Sequence, residues 1–182
     1  MNAKIDVGWY AFANGEFSLD YTAYSDLVGV VAWLNPDENP PHGKRGLIIA
    51  LKQACFYWCN IYAKFWATLK DDGELNTYQM FVSQEKFNAL VPAVEWCCNY
   101  PLYGVYEGKG FIPAKTQLEN IVVNFGQINN ALDKVGGDKL QDWLMSSTEE
   151  TETEMWICYA HFPLSDTCNK HQKAFVRCVV AF

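Results

Sequence analysis

The spacing of apolar and polar positions divides the chain into strands, then helices, then strands. Residues 7–12 alternate loosely and stop at Ala13-Asn14-Gly15. That is a hairpin-type turn, so residues 16–21 are expected to return as its partner. Residues 27–34 (LVGVVAWL) and 47–51 (LIIAL) are unbroken apolar runs suited to buried strands, and the stretch NPDENPPHGKRG between them is dense in turn formers. Ala54, Trp58, Ile61, Phe65 and Leu69 fall on helical spacing, which predicts a helix over 54–69, closed by Lys70-Asp71-Asp72-Gly73. Residues 76–99 also read as helical, with Ser83 as N-cap and Phe87, Leu90, Val91 and Val94 on one side. Pro92 should split that segment in two, because proline is comfortable in a first turn. After Pro113, Thr116-Gln117-Leu118-Glu119 has the form of a capping box headed by Thr116. Leu118, Ile121, Val122 and Phe125 form an apolar stripe that Gly126 interrupts. Ile128, Leu132 and Val135 continue it as a second short helix ended by Gly136-Gly137. Residues 155–160 and 174–182 return to β-structure. This succession reads as α+β. With 182 residues, no internal repeat and no low-complexity linker, residues 1–182 fit one domain.

Charge and composition narrow the function. The formal net charge of −7 argues against a nucleic-acid partner, which needs a basic surface. The longest apolar stretch, 54–69, is broken by Asn60 and Lys64 and falls short of the roughly 20 residues a membrane span needs, so no membrane insertion is expected. The opening MNAKIDVGWY lacks the apolar middle of a signal peptide. The location expected is therefore cytoplasmic, unless the N-terminus was trimmed or delivery is non-classical; the cell surface or a phage particle is then expected. Seven cysteines cannot pair completely within the chain, and a chain able to build a large core usually buries them as free thiols. Aromatic residues make up 15% of the chain, enough for an aromatic core and for a binding face besides.

Few motifs carry chemistry. Asn35, Asp37 and Asn39 match the first ligand positions of a calcium loop. Pro40 stands where that loop needs glycine and Gly46 where it needs glutamate, so an EF-hand is rejected and a solvated turn preferred; weaker calcium binding by residues 35–39 stays open. Cys55, Cys59, Cys97, Cys98, His161, Cys168 and His171 form no paired zinc knuckle, and no metal or cofactor is expected. A thiol enzyme would need Cys158 beside His161, but that spacing on a strand points the two to opposite faces. Glu149, Glu150, Glu152 and Glu154 read as an exposed acidic rim, either a recognition loop or a solubilising surface.

The order of segments is more specific. Gly110-Phe111-Ile112-Pro113 precedes the helices. Ile128-Asn129, Leu132 and Gly136-Gly137 follow, then Met145-Ser146-Ser147-Thr148-Glu149 and a closing Val176-Arg177-Cys178-Val179-Val180-Ala181-Phe182. Over residues 7–182 this resembles a family of bacterial C-type-lectin-like domains, which includes the C-terminal domain of the Legionella collagen-like adhesin and many gut Bacteroides surface proteins. The family tends to have Trp where Met145 stands and Pro where Cys178 stands. Its calcium-lectin signatures are absent, so calcium-dependent sugar binding is not implied. The resemblance implies a C-type-lectin-like fold with two central helices and a mostly antiparallel sheet joining the chain termini, residues 7–12 lying beside 175–182. Arg177 should then be buried in a structural role, satisfied by a carboxylate or carbonyls. It also implies a non-catalytic ligand-binding or adhesion module whose loops take a protein or glycan. The candidate ligand residues are Glu150, Glu152, Trp156, Tyr159, His161, Asn169, Lys170 and His171. The alternatives are a thiol-dependent enzyme and a structural assembly domain of a surface or phage appendage, and a homo-oligomer stays open.

Overall fold

A computed structural model describes residues 4–37 and 44–182. The strands are β1 (Tyr10–Phe12), β2 (Phe17–Ser18), β3 (Leu27–Leu34), β4 (Gly46–Tyr57), β5 (Trp143–Glu149), β6 (Glu154–Tyr159), β7 (Leu164–Asn169) and β8 (Lys173–Ala181). The helices are α1 (Gly73–Phe87), α2 (Pro92–Cys98), α3 (Lys115–Val122) and α4 (Phe125–Lys134), with a short 3₁₀ turn at Gly104–Tyr106. The eight strands make one mixed sheet in the order β2-β1-β3-β4-β8-β5-β6-β7. The β5–β8 pair is parallel, and the remaining neighbours are antiparallel. Continuous burial explains the apolar runs: β3 and β4 lie inside the sheet with helices on both faces. Val28, Ile48, Ala50, Val176, Cys178 and Val180 pack with α1, α2 and the 58–72 segment. Val30, Ala32, Leu47, Ile49 and Val179 pack with α3 and α4 on the other face.

Four expectations are corrected. β8 does not lie beside β1. It pairs with β4 over Leu47↔Ala181 to Tyr57↔Lys173, because the β3–β4 hairpin intervenes. The chain's two ends still approach, since the Phe17 and Phe182 rings lie 4.8 Å apart. Second, 54–69 is not a helix. β4 runs on to Tyr57, and the segment after it crosses the end of the sheet without regular structure. Third, Ser83 is buried in mid-helix, and Asp72 caps α1 by accepting from the Leu75 N–H at 2.9 Å. Fourth, Thr116 is not a cap. Ala114 is the N-cap residue of α3, and the Gln117 side chain accepts from the backbone N–H of Ala114 and of Gly73 at 2.9 and 3.0 Å. One amide thus closes the starts of two helices. Pro92 does open a separate helix, and α4 follows α3, but the break falls at Val123-Asn124 rather than at Gly126, so Phe125 opens α4 and Gly126 is helical. Of the loop 35–39, Glu38 and Asn39 lie outside the described residues, while Asn35 Oδ1 accepts from Asp37 N–H in a tight turn.

Arg177 is buried, as expected. Its guanidinium donates to the carbonyls of Ala50 and Asp138 at 3.0 and 2.6 Å and to Gln53 Oε1 at 2.9 Å. Burial pulls its pKa down to about 10 despite the nearby Asp138 charge, so it is still a cation at neutral pH. It ties β4, β8 and the loop before β5 together.

Candidate functional site

The run Ser146-Ser147-Thr148-Glu149 is buried throughout, although every member is polar. Its hydrogen bonds hold the 58–72 segment. Trp58 Nε1 donates to the Ser146 carbonyl at 3.1 Å, Thr148 Oγ1 donates to the Leu69 carbonyl at 2.8 Å, and Glu149 N–H donates to the Ala67 carbonyl at 2.7 Å. The Glu149 carboxylate accepts the N–H groups of Phe65 and Trp66, each at 2.9 Å. It also pairs with Lys170, whose ammonium donates to the Ala63 carbonyl at 2.9 Å and sits over the rings of Trp58 and Phe65. Both ions are fully withdrawn from water. Such a pair is tolerable because each charge has further partners besides its counter-ion.

The pinned segment points outward at alternate positions. Ala63, Phe65 and Ala67 are buried, whereas Tyr62, Lys64, Trp66 and Thr68 face solvent. Trp66 has φ of +59°, a left-handed conformation that costs a non-glycine residue energy and is held by the Glu149 clamp on its N–H. Its half-exposed indole stacks on Phe87 at 6.2 Å, with Lys86 Nζ 4.9 Å from the ring. Tyr62 stacks on His171 with centroids 4.0 Å apart and planes 9° from parallel. The Tyr62 hydroxyl donates to Asn169 Oδ1 at 3.0 Å, and His171 N–H donates to the same oxygen at 2.9 Å. The outer side of the segment thus carries two aromatic groups: Tyr62 with His171 and the Asn169 amide, and Trp66 with Phe87 and the Lys86 ammonium.

The eight sequence-derived residues do not form one site. Asn169 and His171 join this surface. Lys170, between them, is buried beneath it and leaves the set. Glu150 and Trp156 meet each other through a 2.5 Å bond from Nε1 to the carboxylate, with Lys115 4.8 Å from the indole. Glu152 is exposed on the β5–β6 turn. Glu149 is buried and so does not belong to an exposed acidic rim. Tyr159 and His161 lie at the far end of β6, roughly 16 Å from Glu154 at 3.3 Å per residue, in a cluster with Trp143, Phe125 and Phe162. Sequence reasoning missed Tyr62 and Trp66. The period-2 alternation over 62–68 was their signal.

Five of the seven thiols are held away from nucleophilic chemistry. Burial pushes Cys59, Cys97 and Cys98 above the ordinary value, and raises Cys158 and Cys168 to about 11, whereas an activated thiol is lowered. His161 packs on the rings of Phe125 and Tyr159, and Cys158 Sγ donates weakly to the Tyr159 carbonyl. Among the described residues no group of three or more His, Cys, Asp or Glu is placed to hold a metal, and no helix is long and apolar enough to cross a membrane.

No family model matches the chain, and no curated protein does. A solved structure does: a fimbrial protein from Bacteroides ovatus superposes with a TM-score of 0.76 over 98% of this chain, at 15% identity. The match takes in 49% of that protein, so this chain spans about half its length. This chain has the fold of that half of a fimbrial protein.

Proposed function

We propose that the protein is a non-catalytic adhesion module of a cell-surface appendage, built on a C-type-lectin-like scaffold, whose glycan or protein ligand docks on the aromatic surface of Tyr62, Trp66, Asn169 and His171. The observation that carries this is the clamp of Glu149 and Lys170 on the 58–72 segment. A fully buried ion pair and a left-handed tryptophan are costly, and they serve to hold two aromatic rings rigid at the surface. Rigid aromatic side chains flanked by a few polar groups are what recognition surfaces use, because little entropy is lost on binding. The shared fold with a fimbrial protein supports the appendage setting. The raised values of the buried thiols weigh against the thiol-enzyme alternative.

A glycan array, run beside a panel of extracellular matrix proteins, tests this reading. Binding should fall at least about tenfold in Trp66→Ala and Tyr62→Ala, which corresponds to roughly 1.4 kcal/mol. It should be unchanged in Tyr159→Ala and His161→Ala, at the other end of the sheet. A ligand whose binding survives the first pair and is lost with the second would move the site and defeat the proposal.

A further inference from the structure

Two core thiols meet where the end of α2 packs on β8. Cys97, in the last turn of α2, and Cys178, within β8, are both fully buried. Cys178 Sγ lies 3.7 Å from the Cys97 carbonyl oxygen and 3.8 Å from the Val179 carbonyl oxygen, so a weak thiol donor has only long contacts. The two side chains also touch: burial, then the contact with the Cys178 thiol, raises Cys97. Cys98 is half-buried and turns outward, lining a groove of about 230 Å³ with Tyr78 and Phe81. Gly110 allows the close approach. A methyl group there would stand 2.5 Å from the Cys97 carbonyl oxygen and 2.6 Å from Cys178 Sγ, so a residue with a side chain would push α2 and β8 apart.

Two thiols in contact can share a metal ion or bond to each other. Among the described residues no third ligand is placed to complete a metal site. A disulfide needs its two Cβ atoms roughly 3.5–4.5 Å apart. A sulfur that already lies beside its partner's own carbonyl reaches that range by turning side chains, with α2 and β8 left in place.

We infer that Cys97 and Cys178 join in a disulfide bond when the chain folds in the presence of a small-molecule disulfide, of which oxidised glutathione is the simplest. One protein thiolate attacks a sulfur of the oxidant and releases a glutathione thiolate. The second protein thiolate attacks the mixed disulfide and releases the other. Two protein thiols are oxidised, one external disulfide is reduced, and the two protons pass to the released thiolates. The chemistry belongs to folding, because in the open chain both thiols are in water and near their ordinary value. β8 is the last strand in chain order, and its docking brings Cys178 to Cys97. The bond spans a separation of 81 residues, and closing so long a loop restricts the unfolded chain. It goes beyond the ligand surface proposed above and does not depend on it, since neither Tyr62 nor Trp66 takes part.

Refolding the urea-denatured full chain in mixed reduced and oxidised glutathione, then alkylating the remaining thiols and mapping peptides by mass spectrometry, tests it. The parent should lose two of its seven thiols to one crosslink. Cys97→Ala and Cys178→Ala should each retain every thiol left to them, whereas Cys98→Ala should still form the crosslink. The oxidised parent should unfold at a higher urea midpoint than the reduced parent, a shift absent from Cys178→Ala. Seven free thiols after refolding, stable glutathione adducts in place of the crosslink, a crosslink that survives Cys97→Ala, or an oxidised parent less stable than the reduced one would overturn the inference.

Discussion

At the scale of single residues, Glu149 and Lys170 depend on each other, because both are charged and fully buried. Removing one partner strands the other charge in the core. Lys170→Met is therefore expected to lower stability by about 3–5 kcal/mol in urea unfolding. Adding Glu149→Gln to it should recover part of that loss, because the remaining group is then neutral. The buried thiols make a second residue-scale prediction. Cys158 and Cys168 are raised by burial to about 11 in the folded state, above the ordinary thiol value of about 8.5. The folded state therefore holds those protons more tightly than the unfolded chain. Their stabilisation is complete below the unfolded value and is lost as pH rises through the folded one. The urea midpoint should be flat from pH 7 to 8 and fall between about 9 and 11, with a shallower fall in Cys158→Ala. Little of this was visible in the sequence. Nothing local separates Glu149 from Glu150, Glu152 and Glu154; its partner lies 21 residues away, and only the fold brings the two together.

Elements were legible where one principle acted alone. The apolar runs of β3 and β4, the break at Pro92 and the stripes of α3 and α4 follow from burial and proline geometry, and these appear where expected. The misses occur where a distant group overrides local pattern. Helical spacing over 54–69 lost to strand pairing with β8 and to the Glu149 clamp. β7, with Ser165, Asp166, Thr167 and Asn169, has too little apolar character to be read as a strand, and pairing with β6 alone makes it one. Thr116 satisfied the cap pattern, yet Gln117 does the capping. Gln117→Ala should cost about 1 kcal/mol or more, as lost caps do, while Thr116→Ala should change the midpoint by less than about 0.5 kcal/mol. Trp66 supplies a sharper test of the pinned segment. Glycine adopts its backbone without strain, so Trp66→Gly should be more stable than Trp66→Ala by about 1 kcal/mol in chemical denaturation. Both variants should lose ligand equally.

Across the whole molecule, β8 is the strand that holds the sheet together. β2, β1, β3 and β4 lie on one side of it and β5, β6 and β7 on the other. Deleting residues 176–182 should abolish soluble folding, because it separates two half-sheets and removes Arg177 as well. A soluble deletion variant with cooperative unfolding near the parent midpoint would contradict this. The same placement governs timing. β8 is the last of the eight strands in chain order, so a nascent chain holds two incomplete sheets with open edges until its final strand emerges. Both edges, β4 and β5, are then free to pair with another chain. Until β8 is in place, a high concentration of chains favours pairing between copies over pairing within one.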